Sequence, residues 1–333
     1  MNYSGKFDAK LPFHGPGAPH HPHIHVDSVS AHGAPVGAII VPDAQLLFNG
    51  DFKRSGVDLI LSRDDRELVL QDYFKGEKRA ALSSPDGAHL TGDIIDALTG
   101  YQQFAQAGGG ASAGKAIGHL TKLIGSASAI RNGVSIILNN GDNVEKGDVV
   151  QSGSSSTVGI TFIDGTVFGL SSNARMVLNE MVYDPNGSNN SSLLSLVAGT
   201  ISFVAGETAK HGDMKVDTPV ATMGIRGTAV LVEIDFDIPQ GGLPNAKFQV
   251  LVEPDGTTGR YVLFDKLTLA PIATVDQAGV VKSLSQGILT SYSAPLSPDV
   301  QKLITDVFAL KFTDNTNTND DDDPFEANSQ RNR

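Results

Sequence analysis

The residues best suited to chemistry in this sequence are histidines, and most of them lie in one N-terminal stretch. Six of the nine histidines precede position 33. Imidazole nitrogens spaced as His-x-His can chelate a divalent metal ion, which makes His20, His21, His23 and His25 candidate metal ligands. A His-rich tract is only a compositional cue. We therefore favour a polar tail whose histidines bind metal only adventitiously. The alternative is a tail whose function is to bind or sense a divalent metal ion.

The remainder of the sequence contains no pattern typical of a catalytic site. The other histidines are His89, His119 and His211, and none belongs to a His-Glu-x-x-His motif. No Gly-x-Ser-x-Gly stretch is framed by the strand and helix of a nucleophile elbow, and no Walker loop is present. The absence of cysteine excludes thiol nucleophiles, disulfides and thiolate metal sites. We therefore expect a protein that is not an enzyme and needs no cofactor.

The charge of the chain disfavours nucleic acid as a partner. Its 333 residues include 37 acidic and 25 basic side chains, a formal net charge of -12, and a negative surface repels phosphate backbones. The N-terminus lacks the apolar core of a Sec signal, and no window approaches the roughly 20 apolar residues of a membrane-spanning helix. We therefore expect no transmembrane segment, and secretion or cell-surface display by a route other than Sec. A cytoplasmic location is the alternative.

Short β-branched runs separated by turn residues dominate the sequence from Ile117 onward. Asp164-Gly165 lies between Thr157–Ile163 and Thr166–Leu170, and this arrangement predicts a β-hairpin with a type I′ turn. Asn132-Gly133 predicts a second turn of the same type. Many short strands at close spacing predict a mainly β fold, either an antiparallel sandwich or a solenoid-like wrap of short strands.

Two helices and one further hairpin complete the predicted elements. Ser297-Pro298 predicts the start of a C-terminal helix with one apolar face. Thr91 predicts the cap of a short helix that ends near Leu98. Alternating residues in Val57–Leu61 and Glu67–Phe74, joined by a polar connector, predict a hairpin.

These elements divide the chain into six expected segments. The tails and the linker are too poor in apolar residues to offset the entropy of ordering. The expected segments are a disordered His/Pro/Gly-rich tail at 1–35, a small β-rich module at 36–99, a Gly/Ala linker at 100–116, an all-β domain with a hairpin extension at 117–290, a C-terminal helix at 291–312 and a disordered acidic tail at 313–333.

Two separated signatures in the central stretch of the chain resemble the FecR domain family. The first comprises Gly147-Asp148-Val149, Gly153, Ile163-Asp164-Gly165 and Leu170 to Asn173, and the second comprises Thr218-Pro219-Val220-Ala221 and Ile225-Arg226-Gly227-Thr228. The signature residues expected to shape the domain are Gly147, Asp148, Asp164, Gly165, Thr218, Pro219, Arg226, Gly227 and Thr228. Arg226 has apolar neighbours, so its guanidinium is expected to meet backbone carbonyls or a carboxylate, with Asp148, Asp164 and Asp217 as candidates.

The resemblance implies an all-β domain that acts through protein partners. Typical FecR proteins regulate sigma factors and carry a transmembrane helix, which this sequence lacks. The stretches Gly50–Ser62 and Leu68–Gly76 also resemble the N-terminal part of large bacterial repeat proteins that leave by type I secretion and act as adhesins. The implied function is protein–protein interaction at the bacterial envelope or cell surface, in signalling or in association with adhesins. Exposed strand edges would be the contact, by β-augmentation.

Overall fold

The structure is a computed structural model that describes residues 34–100, 114–227, 229–235, 245–285 and 287–312. The first of these ranges contains β1 (Ile39–Ile40), α1 (Ala44–Asn49), β2 (Asp51–Ser55), β3 (Asp58–Arg63), β4 (Arg66–Leu70), β5 (Leu82–Ser83), β6 (His89–Leu90) and α2 (Gly92–Leu98). The strands that follow are β7 (Ala116–Ile124), β8 (Ala127–Arg131), β9 (Val134–Leu138), β10 (Asn143–Glu145), β11 (Val149–Ser152), β12 (Thr157–Phe162), β13 (Val167–Leu170), β14 (Arg175–Val182) and β15 (Ser191–Val204). The last elements are α3 (Glu207–His211), β16 (Asp213–Asp217), β17 (Ala221–Arg226), β18 (Ala229–Asp235), β19 (Asn245–Val250), β20 (Arg260–Asp265), β21 (Pro271–Val275), β22 (Val281–Ser285), β23 (Ile288–Tyr292) and α4 (Pro298–Phe312).

The part before residue 100 folds as two small sheets and two short helices. β2, β3 and β4 form an antiparallel meander, so the predicted hairpin is confirmed and gains a third strand. β1, β5 and β6 form the other sheet. Thr91 caps α2 as predicted, because its side chain accepts a hydrogen bond from the backbone N–H of Ile94. α1 was not predicted; Asp43 caps it through the N–H of Leu46 at 3.1 Å.

Two sheets with a common core form the rest of the fold, and the predicted mainly β class is confirmed. The front sheet has the strand order β10-β7-β12-β13-β15-β18-β19-β22-β23. The back sheet has the order β9-β8-β11-β14-β15-β16-β17-β20-β21. Among the described strands of these sheets, every pairing is antiparallel except β15 with β16. The architecture therefore corresponds to the sandwich alternative.

One long strand, β15, belongs to both sheets. Its first residues pair with β14 and β16 in the back sheet, and the residues from Gly199 onward pair with β18 in the front sheet. The crossing occurs at Gly199, whose φ is 91° and where a Cβ atom would lie 2.6 Å from the Cα of Ala174. In the sequence this glycine separates two short apolar runs, because a glycine that bends one strand gives the same local pattern as a glycine in a turn between two strands.

The core lies between the sheets, and α4 covers the outer face of the front sheet. Phe168 and Phe203 stack between the sheets with their ring centroids 4.5 Å apart. On the other side, Val300 and Val307 of α4 pack into a separate buried cluster with Val167. Gly169 and Gly159 let the helix approach closely, which explains why all four residues of β13 are buried.

The C-terminal helix and the hairpins test the local predictions directly. Ser297 accepts a hydrogen bond from the N–H of Val300 at 3.3 Å, so the predicted start of α4 is confirmed. Asn132 and Gly133 have φ values of 50° and 80°, as a type I′ turn requires. Among the described helices none combines the length and apolarity that a bilayer crossing needs, and α4 has 15 residues.

The hairpin at Asp164-Gly165 forms, but its turn is not type I′. Only Gly165 has a positive φ, 76°. The N–H of Gly165 bonds to the carbonyl of Phe162 at 2.9 Å, and the N–H of Phe162 bonds to the carbonyl of Thr166 at 2.8 Å. This is the three-residue loop in which a glycine follows a type I turn and forms a bulge. The prediction was wrong because Asp164 binds its own turn and keeps a negative φ.

Candidate functional site

Asp148 of the first signature lies just before β11 in a hydrogen-bonded cluster with Arg131 and Glu145, which we call the clasp. Asp148 is fully buried and accepts hydrogen bonds from Nε and Nη2 of Arg131 at 2.9 and 2.7 Å. The backbone N–H of Glu145 adds a third at 2.8 Å. Arg131 also donates to Glu145 Oε1 and to the carbonyl of Asn143. Gly147 makes the approach possible with a φ of 88°. The hydrogen bonding that Arg131 donates to Asp148 is the main reason that the pKa of Arg131 is raised.

The Asp164 turn joins both sheets to the helices. The carboxylate of Asp164 accepts hydrogen bonds from the N–H and hydroxyl of Thr166, each at 2.9 Å. The carbonyl of Asp164 accepts from the N–H of Glu207 at the start of α3. Lys311 of α4 donates to the carbonyl of Gly165, and burial followed by the nearby charge of Lys210 lowers the pKa of Lys311. These contacts give Asp164 a structural role.

The Thr218-Pro219 turn connects the sandwich to the N-terminal part of the chain. The hydroxyl of Thr218 donates to the carbonyl of Ala221 at 2.8 Å, and the carbonyl of Pro219 accepts from the N–H of His89 at 2.9 Å. Lys266 donates to the carbonyls of Thr218 and His89 and pairs with Asp217 at 3.0 Å. Burial, and then Lys266, lower the pKa of His89 to about 4, so this imidazole is neutral near pH 7.

Arg226 lies at the surface, and of its two expected partners, a backbone carbonyl and a carboxylate, it meets the carbonyl. Its side chain is exposed, and Nη1 donates to the carbonyl of Gly212 at 2.7 Å. The proposed carboxylates are engaged elsewhere: Asp148 with Arg131, Asp164 with Thr166, and Asp217 with Lys266. The carbonyl alternative is the one observed. Gly227 follows with a φ of 50°, and Thr228 lies outside the described residues.

The candidate metal ligands also lie outside the part of the chain that the structure describes. His20, His21, His23 and His25 precede residue 34, where the described ranges begin. Within the described ranges, no group of three or more His, Asp or Glu side chains is arranged to hold a metal ion. The metal hypothesis therefore rests on the sequence.

The outer edge of β9 is the exposed feature that the sequence reasoning missed. β9 pairs with β8 on one side only among the described strands, and Val134 and Ile137 are 61% and 80% exposed. The strand, Val-Ser-Ile-Ile-Leu, contains no charge or proline. Natural proteins usually protect such an edge with lysine, proline or a short strand. The signal that could have found it is this uncharged run directly after the Asn132-Gly133 turn.

Two of the other three edges of the two sheets carry such protection, and the third has a lysine on the neighbouring strand. β10 has only three residues, and β21 begins with Pro271. At the edge of β23, Lys282 of the neighbouring strand donates to the hydroxyl of Ser291 at 2.9 Å, which places a positive charge beside it. Among these edges, β9 and β23 carry no charge or proline of their own, and Val134 and Ile137 of β9 (61% and 80% exposed) are more exposed as a pair than Ile288 and Tyr292 of β23 (65% and 41%).

The sequence matches the family model described as FecR protein over residues 148–238. No curated protein matches the chain. Two crystal structures of a protein assigned as an anti-sigma factor from Parabacteroides distasonis, at 1.65 and 2.50 Å resolution, align over 44% of this chain and 59% of theirs. Their sequence identity is 13% and the TM-score is 0.32, so this likeness supports no conclusion about the present chain.

The family match and the two signatures coincide on the same part of the molecule. The matched range begins at Asp148 of the clasp, includes the Asp164 turn and the Thr218-Pro219 turn, and ends beyond β18. The signature residues in it lie at turns and strand ends of both sheets, where they make the hydrogen bonds described above. The chain therefore carries a FecR domain between residues 148 and 238.

Proposed function

We propose that this chain is a non-enzymatic interaction module that binds a protein partner by adding the partner's strand to β9. FecR domains are regulatory, and their signalling role is exercised through protein contacts. The observation that carries the proposal is the open, uncharged edge of β9 with its two exposed aliphatic side chains. In strand addition, main-chain hydrogen bonds to such an edge provide the affinity, and contacts of alternate side chains provide the specificity.

The register of the hairpin identifies the groups that would contact the partner. Arg131 pairs with Val134 across the two-residue turn, so this pair exchanges hydrogen bonds within the hairpin. Pairing then alternates along the strand. The N–H groups of Ser135 and Ile137 consequently point away from β8, toward the position of an added strand.

We further propose that the interaction takes place at the bacterial envelope or cell surface, in signalling or in association with adhesins. Support comes from the FecR domain and from the resemblance of Gly50–Gly76 to type I-secreted proteins. Cell fractionation followed by an immunoblot tests the location. Signal confined to the cytoplasmic fraction contradicts it.

A proline substitution separates strand addition from other modes of binding. Ser135→Pro removes an outward N–H without removing a bond to β8, and edge strands tolerate proline at such positions. Ser291→Pro is the matched control, because the N–H of Ser291 on the edge strand β23 likewise points away from the neighbouring strand β22. Both variants should retain the circular dichroism spectrum of the wild-type chain.

The assay is capture from an envelope fraction by the immobilised full chain, with quantification by mass spectrometry. We expect a protein that is enriched by the wild-type chain and by Ser291→Pro but lost, by about tenfold or more, with Ser135→Pro; that loss corresponds to about 1.4 kcal/mol. Equal capture by Ser135→Pro would remove β9 as the contact. Absence of any enriched protein would contradict the proposed function.

A second candidate function, divalent-metal binding or sensing, is favoured only by the spacing of the N-terminal histidines. Replacement of His20, His21, His23 and His25 by alanine in the full chain leaves the described part unaltered. Calorimetry with zinc or nickel should then show heat for the wild-type chain and none for the variant if the tract is the site. Equal weak heats would dismiss the metal hypothesis.

A further inference from the structure

A polar cleft of about 420 Å³ lies between the N-terminal part of the chain and the FecR domain. Asn49 and Arg63 line it from the N-terminal side, whereas Gln151, Ser172 and Arg175 line it from the sandwich. Cavities of 300–1,000 Å³ are typical of small-molecule sites, and this volume far exceeds the roughly 30 Å³ of one water molecule. The cleft therefore has room for an organic molecule.

Arg175 contributes a positive charge that no neighbouring carboxylate neutralises directly. Its Nη1 donates to the carbonyl of Gly50 at 2.8 Å, and within the described ranges no Asp or Glu oxygen pairs with it within 4.0 Å. Burial lowers the pKa of Arg175, whereas the more distant charge of Asp51 acts in the opposite direction. A half-buried guanidinium with one hydrogen bond still has donors available for an anion.

Arg63 brings a second guanidinium to the same cleft. Its Nη1 is buried and has no hydrogen-bond partner among the described residues. Its Nε lies 3.8 Å from Oδ2 of Asp64, a side chain that is 78% exposed, so that ion pair is weak. Arg63 and Arg175 therefore line the same cleft, one from the N-terminal part and one from the sandwich, and both have donors that an anionic ligand would engage.

We propose that this cleft binds the carboxylate of a small organic acid, with Arg175 as the principal ligand and Arg63 as the second. The planar guanidinium fork matches a carboxylate through two parallel hydrogen bonds. The amide and hydroxyl groups of Gln151, Asn49 and Ser172 suit the polar body of such a ligand. The site is separate from the β9 edge, so either proposal can fail alone.

Calorimetric titration of the full chain with succinate at fixed ionic strength tests the proposal, with succinamide as the uncharged analogue. We expect succinate to bind and succinamide to bind at least about tenfold more weakly, because hydrogen bonds to charged groups are the stronger ones. Arg175→Gln and Arg63→Gln should each weaken succinate binding by a similar factor. Arg260→Gln is the matched control, since Arg260 is exposed and does not line the cleft, and it should bind as the wild-type chain does.

Several results would overturn the assignment. Equal binding of succinate and succinamide would show that charge is not recognised, and unchanged binding by Arg175→Gln would remove the principal ligand. Tighter binding of inorganic phosphate than of succinate would show that the cleft is a general anion site and is not specific for a carboxylate. Binding of none of these probes would refute the site. If Arg175→Gln does not fold, Arg63→Gln and the succinamide comparison on the wild-type chain decide the question.

Discussion

Removal of the buried carboxylate at Asp148 provides the sharpest prediction about what holds the FecR domain together. In the clasp, this carboxylate accepts three hydrogen bonds, two of them from Arg131. Breaking one side of a buried ion pair costs about 3–5 kcal/mol. Arg131 remains 23% exposed and keeps Glu145 as a partner, so we expect Asp148→Ala to cost about 3 kcal/mol, at the lower end of that range.

The reverse substitution leaves the more buried charge without its main partner. Arg131→Ala deprives Asp148, whose side chain is 0% exposed, of both guanidinium bonds and leaves the N–H of Glu145. We therefore expect Arg131→Ala to cost at least as much as Asp148→Ala, about 3–5 kcal/mol. The double variant should cost less than the two single variants added together, with a coupling energy of about 1.5 kcal/mol or more.

Urea unfolding of the four proteins in this cycle, followed by circular dichroism, measures the coupling. Lys146→Ala is the control, because Lys146 is 62% exposed and lies 4.0 Å from Glu180, and a surface pair of this kind contributes about 0–1 kcal/mol. If Asp148→Ala costs less than about 1 kcal/mol, or if the single effects add, the clasp does not hold the signature in place.

Three further predictions concern a turn, a pH dependence and an unsatisfied hydroxyl. Gly165→Val should destabilise the chain by about 1–3 kcal/mol, because Gly165 has a φ of 76°; an unchanged urea midpoint would contradict the observed turn. The folded state lowers the pKa of His89 to about 4. Neutral His89 therefore contributes fully to the free energy of unfolding above its unfolded pKa of about 6.5, and this contribution is lost as the pH falls from about 6.5 toward 4. The free energy of unfolding of the wild-type chain should be about 2 kcal/mol lower at pH 5.0 than at pH 7.5, and this difference should be smaller in His89→Asn. Equal differences in the two proteins would refute the role of His89. Tyr261→Phe should be neutral or stabilise by up to about 1 kcal/mol, because the fully buried hydroxyl has no partner among the described residues; a loss above about 1 kcal/mol in thermal unfolding would indicate a hidden partner.

Local chemistry was predictable from the sequence because it depends on residues close along the chain. The caps at Thr91 and Ser297 and the Asn132-Gly133 turn form as expected. The turn at Asp164 differs because its side chain accepts hydrogen bonds from Thr166. That competition between side chain and backbone is not visible in a two-residue signal.

Long-range partners were not predictable, since they depend on strand register. Asp148 meets Arg131 because β11 pairs with β8 so that Val149 lies opposite Ile130. The apolar neighbours of Arg226 left its partner open between a carboxylate and a backbone carbonyl, and alternation along β17 places its side chain on the solvent side, where it reaches the carbonyl of Gly212. Arg63 and Arg175, the two arginines that line the cleft, are 112 positions apart, and the contact of the N-terminal part with β14 brings them to the same cleft.

The central claim is that the outer edge of β9 accepts the strand of a protein partner. Hydrogen–deuterium exchange across Val134–Leu138, with and without the captured partner, tests it most directly. The N–H groups of Ser135 and Ile137 should exchange rapidly in the free chain and become protected in the complex, while the already paired N–H groups of the strand change little. Unchanged exchange at Ser135 and Ile137 in a saturated complex would contradict the claim.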